Sequence, residues 1–186
     1  MNTDYWAKLA DSEREQWKYS PRHAVGPLKF GDAPDTAITL LASHGFSADL
    51  SEIERWSPQR AQWRAEFRRF GSDEQRPAFK AYFVDGVGLT CVLVDGLNGP
   101  QVTFEGIKLI GRVPTELDAE MEESATEKGF DIWYCPSGDL SWADFDFDRG
   151  AQRCGDQAVS WASFVKTGQI GDSSWDIAPA EVWRHW

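Results

Sequence analysis

The residues whose types and spacing could do chemistry lie mostly in the second half of this chain. Asp144-Phe145-Asp146-Phe147-Asp148 alternates acid with aromatic, so an extended backbone would put three carboxylates on one face and two phenyl rings on the other. Carboxylates at alternate positions open a calcium-binding loop. Here, however, the glycine stands seventh (Gly150) instead of sixth, and the twelfth position is Gly155 where such a loop needs glutamate. The histidines His23, His44 and His185 have no metal-ligand spacing, and no nucleophile elbow frames a serine or cysteine. Gly86-Val87-Gly88 and Gly96-Leu97-Asn98-Gly99 lie between strand-like runs, with no helix after them to hold a phosphate. No catalytic, cofactor-binding or metal residue is therefore assigned.

A second constellation is acidic. Glu116, Glu120, Glu123 and Glu127 are spaced by four, three and four, which lines them along one stripe of a helix. From Thr115 to Asp148 the chain carries eleven acids against the single base Lys128, and the net charge of the whole is −11. Like charges on one stripe weaken a helix by a few tenths of a kcal/mol, roughly, per pair. An acidic helix near tryptophans has the two features of a steered interface, a strong field and aromatic anchors. The partner-binding residues expected are Glu116, Glu120, Glu123, Glu127, Asp144 and Asp146 for charge, with Trp133 and Trp142 as anchors. The field suits a basic protein partner, and it disfavours nucleic acid. One locally basic stretch, Arg55 to Arg76, reads as an amphipathic helix whose arginines are solvated or pair with Glu52, Glu54 and Glu66.

Several elements must position these groups. Gly26-Pro27-Leu28-Lys29-Phe30-Gly31-Asp32-Ala33-Pro34 returns as Gly106-Ile107-Lys108-Leu109-Ile110-Gly111-Arg112-Val113-Pro114, with glycines and prolines at a constant offset of 80. Each copy leads into a helical rhythm, Ile38/Leu41 and Leu117/Met121, with proline at its start and Gly45 or Gly129 at its end. β-Branched and aromatic runs follow: Ala78 to Val84, Val87 to Val94 and Gln101 to Ile110, then Asp131 to Tyr134, Leu140 to Phe147 and Ala158 to Val165. Asp85-Gly86 is a type I′ turn signal, and Arg149-Gly150 is expected to be a turn.

The expected fold is α+β, a duplicated β-α-β-β-β unit with antiparallel sheets and helices packed on one face. Residues 1–22 form an N-terminal helix (Asn2 to Trp17), and 23–105 form the first unit, with a helical insert at 47–77 (Gln59 to Phe70). Residues 106–167 form the second unit, and 168–186 a tryptophan-rich tail. No apolar run approaches the ~20 residues that span a bilayer, and the first residues lack the basic and apolar parts of a signal peptide. Three cysteines (Cys91, Cys135, Cys154) form no paired motif. The expected setting is cytoplasmic, without a membrane partner.

The glycines Gly31 and Gly111 ahead of each helix, the stripes Ile38/Leu41 and Leu117/Met121, and the strands after them resemble the unit found in tandem in β-lactamase inhibitory proteins. A single copy resembles the assembly lipoprotein BamE. The resemblance implies a concave sheet that grips a protein. Those families are exported and the inhibitors carry a disulfide in each repeat, so the inhibited target is not carried over. The Gly-Pro-Leu-x-Phe-Gly opening also looks like small bacterial cytoplasmic proteins that neutralise toxins. The leading expectation is a non-enzymatic immunity or inhibitor protein that occludes a basic toxin or enzyme. The alternatives are a small-ligand- or metal-binding protein, possibly enzymatic, with a cleft between the units that uses His44 or the Asp144/Asp146/Asp148 face, and a structural subunit of an assembly.

Overall fold

A computed structural model describes residues 6–52, 62–71, 76–134, 140–142 and 145–166. The fold is α+β and mostly strand. The chain turns once in a 3-10 helix at Asp11–Glu13, then runs into β1 (Gln16–Ser20), β2 (Ala24–Val25), β3 (Leu28–Lys29) and α1 (Pro34–Ser43). Four strands follow: β4 (Phe46–Glu52), β5 (Gln62–Arg69), β6 (Phe79–Val84) and β7 (Gly88–Val94). The hairpin β8 (Gln101–Phe104) and β9 (Ile107–Lys108) leads to α2 (Pro114–Lys128). Then come β10 (Ile132–Tyr134), β11 (Leu140–Trp142), β12 (Phe147–Cys154) and β13 (Gln157–Val165). The single strand expected before each helix is thus a two-stranded hairpin, and four strands rather than three follow it.

The strands form two sheets. The smaller has the order β3-β2-β1-β8-β9, and the larger β10-β11-β12-β13-β7-β6-β5-β4. Among the described residues every pairing is antiparallel except that of β1 with β8, which sets Trp17 beside Val102 in a parallel register. The expectation of purely antiparallel sheets is corrected there. One continuous core lies between the large sheet on one side and both helices and the small sheet on the other. Trp17, Tyr19, Leu41, Phe79, Phe104, Met121 and Phe164 all belong to it. A smaller cluster on the opposite face of the large sheet holds Tyr82, Cys91, Leu93, Trp161 and Val165.

Two expected helices do not form: residues 6–15 of the one expected over Asn2 to Trp17 hold only the 3-10 turn Asp11–Glu13 before β1 begins at Gln16, and Gln62 to Arg69 of the other are a strand. Trp17 and Tyr19 are both buried while Lys18 between them is exposed, a period of two that fits a pleated strand and not a helical face. Gly26 permits this packing: its φ is +57°, and a Cβ there would stand 2.4 Å from the Trp17 ring. The stretch from Gln62 to Arg69, expected within the helix Gln59 to Phe70, is β5. Its Ala65 and Phe67 face the core, and between them Glu66 meets Arg64 (3.4 Å), Arg68 (2.7 Å) and Lys80 (3.8 Å). Spacings of three or four among the aromatics suggested a helix, but neighbours on both sides, β4 and β6, hydrogen-bond this segment as a strand.

Turns moved as well. Arg149-Gly150 lies inside β12, where Gly150 pairs with Trp161, and the chain reverses at Gly155-Asp156 instead. The run Gln101 to Ile110 folds back at Glu105-Gly106, both with positive φ (51° and 90°), as a type I′ hairpin turn requires. At Asp85-Gly86 only the glycine has positive φ (72°), so that turn is not of the expected type. Both helices keep their expected limits, with Pro34 and Pro114 in the first turn and Gly129 in the left-handed conformation after the second. The tail from residue 168, like Asn2 to Tyr5 at the start, lies outside the described residues.

Candidate functional site

Helix α2 buries Leu117, Met121 and Ala125 against the core, which turns the glutamate stripe outward. Glu116, Glu123 and Glu127 are exposed. Glu120 is half-buried and held 3.1 Å from the Arg112 guanidinium, so its charge is partly spent inside the molecule. Glu116 in the first turn suits the helix dipole, whereas Glu127 at the far end opposes it. Lys128, the basic residue of the last turn, is 2.9 Å from Glu105. Among the described residues, none of the ion pairs neutralises Glu116, Glu123 or Glu127.

Gly129 ends α2 and delivers the chain to β10, the edge strand of the large sheet. Ile132 pairs with Trp142 and packs against the core, so Trp133 points to the opposite face of the sheet and Tyr134 returns to the side of α2. Trp133 is 65% exposed and Tyr134 57%. The Tyr134 phenol donates to the Glu122 carboxylate, which ties β10 to α2 and raises the phenol's pKa. The result is an edge with Tyr134 and the α2 carboxylates on one face of the sheet and the exposed Trp133 on the other.

The remaining anticipated residues are placed otherwise. Trp142 is 1% exposed and meets Phe104, Phe130, Phe145 and Phe147 edge-on or tilted. It is a core residue and not an anchor, because its strand neighbour position faces the helix side of the sheet. Asp146 sits in the turn between β11 and β12 with φ +52°, and its carboxylate is 2.7 Å from Arg22 Nε. That ion pair fastens the turn to the β1–β2 connection. Since Asp146 is in a turn, the three acids of the Asp144–Asp148 run do not share a strand face. Asp144 itself lies outside the described residues, and Asp148 is 9% exposed.

His44 is 2.7 Å from Glu15, away from the acidic run, and His23 is exposed. Among the described residues no three His, Cys, Asp or Glu side chains converge as a metal site would need, and no helix is long and apolar enough to cross a membrane. Tyr134 was not anticipated. Its signal was its position directly after Trp133 in a run that follows the acidic helix.

No protein-family model, curated protein or solved structure matches this chain.

Proposed function

We propose that this chain is a non-enzymatic protein-binding module that captures a basic partner on the edge built from α2 and β10. Trp133 carries the reading. A tryptophan 65% exposed at a sheet edge, on the strand that directly follows the acidic helix, is costly to solvate and favours a partner that covers it. Tryptophan is the residue most enriched at binding hot spots, and the surrounding negative field would raise the rate of encounter with a positive surface.

In its most concrete form the proposal is a bacterial, cytoplasmic immunity or inhibitor protein that occludes a basic toxin or enzyme. The resemblance of the repeated opening to tandem inhibitory proteins supports that form. We also read the hairpin, helix and four strands that occur twice along the chain as one unit duplicated, with β7 and β13 meeting at the seam.

The test is capture by the immobilised chain at low and at high salt, repeated with Trp133→Ser and with the double variant Glu123→Gln/Glu127→Gln. A basic protein retained at low salt, released at high salt and lost by both variants is the expected result. Its activity should fall when the unaltered chain is added. A protein held equally by all three chains would refute this edge as the binding surface.

A further inference from the structure

The outer face of the large sheet is buried, although both helices and the small sheet pack on the other. Side chains alternate across a strand: Ala81, Val92 and Phe164 point into the main core, so Tyr82, Cys91, Ser163 and Val165 point outward. Tyr82 is 3% exposed, Val165 2%, and Cys91 and Ser163 0%. On a sheet face open to water, neighbours shield the flanks of a side chain and leave its tip wet. A sheet with one wet face also alternates apolar with polar, whereas Cys91 to Val94 of β7 is apolar on both sides. Trp6 reaches this face at one end, where the Arg76 and Arg153 guanidinium groups lie 5.6 and 5.3 Å from its ring centre. Tyr82, Cys91 and Val165 form a cross-strand row further along the sheet. The burial is that of the single chain, so what covers the row belongs to the chain itself.

Of the stretches outside the described residues, 167–186 fits best. It follows β13 directly, just after Val165 on the buried face. It carries Trp175, Ile177, Val182, Trp183 and Trp186, so it has apolar surface to bury against the row. Extended, a stretch of that length reaches on the order of 60 Å. The strands from β12 to β6 span three spacings, about 14 Å. The next longest stretch, 53–61, joins β4 to β5. Because it must return to β5, it extends roughly 15 Å from that strand. Its tip would only just reach β13, with no length left to lie along the row. Each of the others has five residues or fewer.

We infer that residues 167–186 dock on the outer face of the large sheet and cover Tyr82, Cys91 and Val165. The sheet is then the middle layer of three, with the core and helices on one side and the tryptophan-rich end of the chain on the other. Trp133 projects to the same face from β10 and is 65% exposed, so the cover stops short of that edge. The inference rests on burial and chain length, and it holds whether or not the acidic edge binds a partner.

Photo-cross-linking of the full chain tests this, with p-benzoylphenylalanine placed at Tyr82 and the products mapped by mass spectrometry. The dominant product should join position 82 to a peptide within residues 167–186. A dominant product with residues 53–61, with residues 1–5 or with a second copy of the chain overturns the inference. Thiol labelling gives a second reading in full chains whose Cys135 and Cys154 are replaced by serine, so that Cys91 alone can react. Trp175→Ser together with Trp183→Ser should raise the rate of Cys91 labelling at least tenfold, at a temperature where the strand circular dichroism is unchanged. An equal rate with and without these two substitutions overturns the inference as well. Trp133→Ser should leave the rate as it is, so failure at one face does not decide the other.

Discussion

Arg149 on β12 and Asp118 on α2 form an ion pair across the core side of the large sheet. The Arg149 side chain is 1% exposed and that of Asp118 26%, and burial lowers the pKa of the guanidinium. Removing the carboxylate takes a counter-charge away from a buried cation, which costs up to about 3–5 kcal/mol. Asp118→Ala should therefore lower the urea midpoint strongly, and Arg149→Met together with Asp118→Leu should recover most of the loss. Equal stability of Asp118→Ala and the unaltered chain would mean that the pair does not hold α2 in place.

Trp133 and Trp142 lie on neighbouring strands and have opposite fates. Trp133→Ser should leave thermal stability nearly unchanged and weaken partner capture by about 2 kcal/mol, a hot-spot magnitude. Trp142→Ala empties a site surrounded by four aromatic rings and should cost about 3–5 kcal/mol of stability. Denaturation and binding measured on both variants separate the two roles.

Arg14 is 5% exposed and donates to the backbone oxygens of Gly99 (2.6 Å), Gly96 (2.8 Å) and Leu97 (2.8 Å). It is a staple between the first residues of the fold and the loop after β7. Arg14→Leu would leave buried carbonyls unpaired at about 1–3 kcal/mol each. A loss of several kcal/mol in chemical denaturation is expected, with faster amide exchange at residues 96–99.

Gly150 faces Trp161 so closely that a Cβ would stand 2.5 Å from the indole Cζ2. Gly150→Ala should push the indole off the sheet, at about 1–3 kcal/mol, and change its surroundings. Fluorescence compared with that of a Trp161→Phe variant, together with the thermal midpoint, reports both effects. An unchanged midpoint and spectrum would show that the indole has room to move.

Asp11 accepts from Lys108 and from Gln101 (2.9 Å), bonds that lower its pKa below the ordinary 3.8. An acid whose pKa is depressed on folding contributes stability that is fully present above the unfolded value. That contribution is lost as pH falls through the folded one. The thermal midpoint should therefore drop less below pH ~4 in Asp11→Asn than in the unaltered chain. The group is half exposed, so the difference is a few degrees or less.

The helices and their limits were legible in the sequence, because proline at the start, glycine at the end and a three-to-four apolar rhythm are local signals that tertiary contacts rarely overrule. So were the strands β6 and β7, whose residues are buried on both faces. The outward stripe of Glu116, Glu123 and Glu127 followed from spacing alone, since the opposite stripe had to be buried. Other features required the tertiary structure. Gln62 to Arg69 has arginines and aromatics at spacings that satisfy either period, and pairing with β4 and β6 decided for the strand. Trp17 became a strand residue through the parallel pairing of β1 with β8, a contact between segments some eighty-five positions apart, and Tyr19 through its pairing with Val25 of β2. Spacing cannot tell which of two nearby tryptophans is exposed: Trp133 and Trp142 were separated by which face of the sheet each received.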